Sequence, residues 1–98
     1  MRLRALNSLA ALLAFLAGCA FVPQQNVRLD DARRAYAEAL ADPAVAGNAA
    51  VELQVAGDVL ERAGAARDRL DDPAVVDHLS YLARQRVAIA REAARIRR

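Results

Sequence analysis

The run Asp-Pro-Ala-Val occurs twice, at 42–45 and at 72–75, and nothing else in the chain restricts its fold as strongly. An aspartate side chain accepts from the free N–H groups at a helix start. Proline suits the first helical turn, where no backbone donor is needed. Each copy is therefore a start signal. The likeness ends after these four residues, so the chain repeats capping chemistry and not a structural unit. Three helices follow, over 29–40, 43–70 and 73–96. The links at Ala41-Asp42 and Asp71-Asp72 are very short, which forces successive helices to run antiparallel. Strand signals are missing. The expected fold is all-α: a small antiparallel up-down-up helical bundle dominated by a two-helix hairpin.

Apolar spacing supports this division. In the second helix Ala49, Leu53, Ala56, Leu60 and Ala63 recur at alternating steps of four and three, and Val51, Val55 and Val59 add a stripe turned away from the first. Gln54, Asp58, Glu61 and Asp68 take the remaining side. Gly57 and Gly64 lie nearly in line, either as tolerated weak points or as places where a neighbour comes close. The third helix carries Val75, Val76, Leu79, Leu82, Ala83, Val87, Ile89, Ala90 and Ala94; the first carries Leu29, Ala32, Tyr36, Ala39 and Leu40.

Alanine supplies 20 of the 80 residues from Cys19 to Arg98. It is the best helix former but fills little volume, so the core is expected to rest on a few Leu, Val and Ile side chains. The short first helix covers only part of the valine stripe, and the end toward Leu60 and Ala63 is expected to be the least protected. Either the third helix folds back tightly enough to cover that end, or a second copy or a partner protein does; the partner is the favoured expectation.

The N-terminal residues carry a different message. Arg2 and Arg4 precede an apolar run over 9–16, which closes on Leu16-Ala17-Gly18-Cys19 with the chain's only cysteine. A positive start, a short apolar stretch and a small-residue exit describe a secretory signal peptide. The alternative, an uncleaved membrane helix with a free thiol, would need about 20 apolar residues. The motif resembles the lipobox of bacterial lipoproteins. That resemblance implies cleavage between Gly18 and Cys19, acylation of Cys19 and attachment to a membrane through the acyl chains. The expected organisation is a signal peptide at 1–18, a lipidated tether at 19–27 and a helical domain at 28–98. Ala20, in place of the aspartate that retains enterobacterial lipoproteins in the inner membrane, points to the inner leaflet of the outer membrane, facing the periplasm. A lone cysteine forms no intramolecular disulfide.

Removing Arg2 and Arg4 leaves 12 arginines against 12 acids, so the net charge of +2 belongs to the leader. The remaining charge is uneven: from residue 84 onward six arginines face only Glu92. Cations at a helix C-terminus oppose the negative end of its dipole. The alternative is that Arg91, Arg95, Arg97 and Arg98 contact an anionic surface such as lipid head groups, lipopolysaccharide or peptidoglycan carboxylates. An exported chain is not expected to bind nucleic acid.

Little here can perform catalysis. Beyond Cys19 the chain has one aliphatic hydroxyl, Ser80, and one imidazole, His78. Two residues apart on a helix, they point about 200° away from each other and cannot form a nucleophile–base pair. Asp77 diverges from His78, and Asp71 and Asp72 read as loop and cap residues, so no metal or other cofactor is expected.

The segment Ala32-Arg33-Arg34-Ala35-Tyr36-Ala37-Glu38-Ala39-Leu40, the Asp42-Pro43 start and Asp77-His78-Leu79-Ser80-Tyr81-Leu82-Ala83 resemble DUF4398 lipoproteins. These are Gram-negative envelope proteins whose helical domain often precedes an OmpA-like, peptidoglycan-binding domain. The resemblance implies a helical periplasmic domain near peptidoglycan and assigns no catalytic residue. No OmpA-like domain appears before Arg98. The expected role is a lipid-anchored, non-catalytic interaction or scaffold module of the cell envelope; the alternative is an accessory subunit or minor hydrolase of cell-wall metabolism.

Overall fold

The computed structural model describes residues 26–98, which form four helices and no strand. They are α1 (Val27–Ala41), α2 (Pro43–Asn48), α3 (Ala50–Asp68) and α4 (Pro73–Arg97). The segments expected to hold the leader, Gly18, Cys19 and most of the tether lie outside the described residues.

Both start signals cap as their chemistry dictates. Asp42 accepts from the Ala44 amide at 3.0 Å and Asp72 from the Ala74 amide at 2.9 Å, with proline next in each case. Asn26 caps α1 by accepting from the Leu29 amide at 2.9 Å. Its side-chain nitrogen donates to Asp77 near the start of α4 at 3.2 Å, so α1 and α4 begin at the same end and run parallel. The α3–α4 hairpin carries the most extensive packing, and α1 lies along it against both helices. The order is up-down-up.

The second expected helix is broken in two. Ala49 leaves the helical region, with φ −138° and ψ 39°, and separates α2 from α3. Gly47 and Asn48, both weak helix formers, precede the break. The Asn48 side chain turns back to donate to the Ala44 carbonyl at 2.7 Å, and its own carbonyl is free to accept from elsewhere.

The core is also built differently from expectation. Of the 14 buried apolar residues, nine are alanines, joined by Leu29, Val45, Leu53, Val76 and Val87. Small side chains let the helix axes approach closely, so area is buried by proximity rather than by bulk. One cluster gathers Ala39, Val45, Ala49, Leu53, Ala56, Val87, Ala90 and Ala94; the other gathers Leu29, Ala63, Ala66 and Val76. Leu29 and Val76 close over the end of α3, so Ala63 is fully buried and Leu60 packs beside it. The less protected end is the opposite one, where Val51 is 72% and Val55 38% exposed.

Candidate interaction surface

Two rows of side chains run along α4, one residue out of phase. The inner row, Val76, Ser80, Ala83, Val87, Ala90 and Ala94, is buried. The outer row contains Val75, Leu82, Ile89 and Ile96 at seven-residue intervals, all exposed. The sequence pattern merges the two because each has helical spacing.

The position of the outer row follows from two contacts. Arg97 reaches α3, where Glu52 pairs with it at 2.6 Å, whereas Asp77 faces α1 through Asn26 and Arg28. At about 100° per residue the outer row lies within about 100° of Arg97, on the α3 flank. On α3, Val51, Val55 and Val59 lie within about 100° of Glu52 by the same geometry. Because Asp77 on α4 and Gly57 and Gly64 on α3 face α1, the valines of α3 and the outer row of α4 fall on the opposite flank of the hairpin.

On the side toward α1, two glycines of α3 face side chains of α1. A Cβ added at Gly57 would lie 2.7 Å from the Tyr36 hydroxyl, and one at Gly64 would lie 3.1 Å from the Arg33 guanidinium. Both glycines are places of close approach, each seating a side chain of α1. An open groove of about 490 Å³ runs along this seam past Arg33, Glu61 and Asp68.

The four arginines named as candidates for an anionic surface have different fates. Arg97 donates to the Asn48 carbonyl at 3.0 Å while it holds Glu52. It thus spans the α2–α3 break, supplying a donor to a carbonyl freed there and a counter-charge to a carboxylate in the first turn of α3. The hydrogen bond from Arg97 holds the Glu52 carboxyl below its usual pKa, with the Glu52 backbone amide assisting, and the Arg97 pKa rises in return. Arg95 grips Glu92 one turn back, lowering that carboxyl's pKa in the same way. Among the described residues, Arg91 and Arg98 have no carboxylate within 4.0 Å. These two present their charge to solvent. The clamp escaped sequence reasoning because it joins residues 45 positions apart across an antiparallel register.

Ser80 is fully buried and donates to the Val76 carbonyl at 2.7 Å, while His78 is exposed. The structure does not bring them together. Among the described residues there is no group of three His, Cys, Asp or Glu side chains able to hold a metal ion, and no helix long and apolar enough to cross a membrane.

The fold and this surface define a small bundle of three mutually packed long helices and one short one, tightly packed through alanine and with one exposed apolar face. The chain belongs to the DUF4398 family, a domain of unknown function, whose pattern it matches over residues 27–98. No curated protein and no solved structure matches it.

Proposed function

We propose that this protein is a lipid-anchored interaction module of the cell envelope, held to a membrane through Cys19 and working through a helix face rather than through catalysis. The observation that carries this reading is the apolar face of the α3–α4 hairpin, where Val51, Val75, Leu82, Ile89 and Ile96 stand exposed in a domain of this size. Contiguous exposed apolar surface on a small protein marks a site of association. The lipobox-like Leu16-Ala17-Gly18-Cys19 supports a lipid anchor, and Ala20 after the cysteine supports an outer-membrane address facing the periplasm. Two or three acyl chains give stable attachment where one is marginal.

Two measurements test this together. The mass of the mature protein should show removal of residues 1–18 and an acyl increment on Cys19, and Cys19→Ser should abolish both. In a deletion strain, His78→Ala with Ser80→Ala should restore the wild-type phenotype, whereas Ile89→Arg should not. Rescue by Ile89→Arg, or its loss in the His78/Ser80 variant despite normal folding, would overturn the interaction reading.

A further inference from the structure

We infer that the outer face of α4 pairs with the same face of a second copy of this chain, in antiparallel orientation. The proposal rests on the interaction reading above and names its partner.

The row is more regular than an incidental patch. Val75, Leu79, Leu82, Arg86, Ile89, Ala93 and Ile96 alternate in steps of four and three over the whole helix. This is the a/d pattern of a coiled-coil seam, with Val75, Leu82, Ile89 and Ile96 at one heptad position and Leu79, Arg86 and Ala93 at the other. It spans about 31 Å. The buried row one residue away already serves the bundle, and Leu79 and Ala93 are half-buried at the edge of its clusters, whereas Val75, Leu82, Ile89 and Ile96 stand exposed, so the open part of the seam is the one heptad position they share.

Charge selects both the occupant and its direction. Asp71 and Asp72 lie at the start of α4, Asp77 there being turned to α1, and Arg84, Arg86, Arg91, Arg95, Arg97 and Arg98 follow with only Glu92 among them. A parallel, in-register pair would set Arg86 against the partner's Arg86 in the middle of the seam and mass the arginines at one end. The antiparallel pair removes both conflicts. Pairing Val75 with the partner's Ala93, Leu79 with the partner's Ile89 and Leu82 with the partner's Arg86 separates the two central guanidiniums. It also brings Asp71 and Asp72 to the arginine-rich end of the partner's α4, where Arg98 has no carboxylate partner among the described residues of its own chain. A helix whose ends carry opposite charge is complementary to its own reversed copy, and such a two-fold contact is self-closing. A polar residue inside a seam fixes register and orientation at some loss of stability, a role that Arg86 fits.

The test uses two full-length variants, Val75→Cys and Ala93→Cys, carrying different tags and expressed together in cells before mild oxidation. The two positions are about 27 Å apart along one helix, so they meet only in an antiparallel pair. The unsubstituted chain reports any cross-link through Cys19. The expected result is a disulfide-linked species carrying both tags, no self-linkage of either variant alone, and loss of the mixed species when Ile89→Glu is added to both. Self-linkage of Val75→Cys alone would show parallel pairing and overturn the proposal. So would absence of mixed linkage in variants whose circular dichroism matches the parent. In that case, failure of Ile89→Glu to complement a deletion strain would leave the face with a different partner, and full complementation would remove the interaction reading as well.

Discussion

Arg97, in the last turn of α4, pairs with Glu52 in the first turn of α3 at 2.6 Å and closes the ring of contacts at the α2–α3 break. One Glu52 oxygen accepts this ion pair, while the other is covered and has no hydrogen-bond partner. The pair therefore contributes only while Glu52 is ionised. Its carboxyl is held below the usual 4.5 by Arg97, so the folded state binds its proton more weakly than the unfolded chain does. The contribution is present above the unfolded pKa and is lost as pH falls through the lower folded value. Arg97→Ala should lower the melting temperature at pH 7, and that difference should shrink as pH is taken from about 4.5 downward. Thermal melts of both proteins across this range check it; a difference unchanged at pH 2.5 would show that Arg97 acts through its alkyl stem.

Leu70 is the one described non-glycine residue with positive φ, at 57°, and it is 89% exposed. It ends α3 in a Schellman turn: the Leu70 amide donates to the Arg67 carbonyl at 2.9 Å and the Asp71 amide to the Ala66 carbonyl at 3.0 Å. A left-handed conformation costs an L-residue roughly 1–2 kcal/mol, and an exposed leucine recovers little of that by packing. Leu70→Gly should therefore stabilise the domain by about 0.5–1 kcal/mol, after the greater freedom of glycine in the unfolded chain is subtracted. Chemical denaturation measures the change directly.

The three described glycines should rank by what faces them. An alanine Cβ at Gly47 meets nothing within 4 Å, at Gly64 it meets only the end of the Arg33 side chain, and at Gly57 it meets the Tyr36 ring and hydroxyl. Replacing helical glycine by alanine gains about 1 kcal/mol where there is room. Gly47→Ala should show most of that gain. Gly64→Ala should show part of it, because a guanidinium can move aside. Gly57→Ala should show none or a loss, because the half-buried Tyr36 must tilt out. Equal gains at all three sites would mean that Tyr36 is not seated on α3 in solution.

Much of this fold is legible in the chain, and the gaps have physical causes. Asp42 and Asp72 mark helix starts correctly because capping is local chemistry, and short links make the up-down-up order nearly inevitable. The break at Ala49 is not legible, since Gly47-Asn48 only weakens a helix and the Arg97 contact that spans the break lies in the tertiary structure. Periodicity could not separate Val76 from Val75 or Val87 from Ile89, because two seams one residue apart read as a single wide apolar arc. Ser80 escaped notice as a core residue because its hydroxyl is satisfied by its own helix. DUF4398 membership was legible from residues 32–40 and 77–83.

The alanine core makes the sharpest prediction, because two ideas about it give opposite signs. Ala56 and Ala90 are fully buried in the same cluster, on facing helices of the principal hairpin. If alanine were there only for helix propensity, Ala90→Leu would be harmless or stabilising, since leucine is nearly as good a helix former and more apolar. If alanine sets the distance between α3 and α4, leucine at 90 must push the helices apart and open the contacts along both rows. Overpacking of this kind costs about 1–3 kcal/mol. In a domain of this size each kcal/mol corresponds to a fall in melting temperature of about 4–8 °C. Ala90→Leu and Ala56→Leu should each destabilise within that range. Val51→Ala, at a position 72% exposed, should change stability by less than about 0.5 kcal/mol. The double variant Ala56→Leu/Ala90→Leu should lose less than the sum of the two, because the first substitution already separates the helices that the second would push.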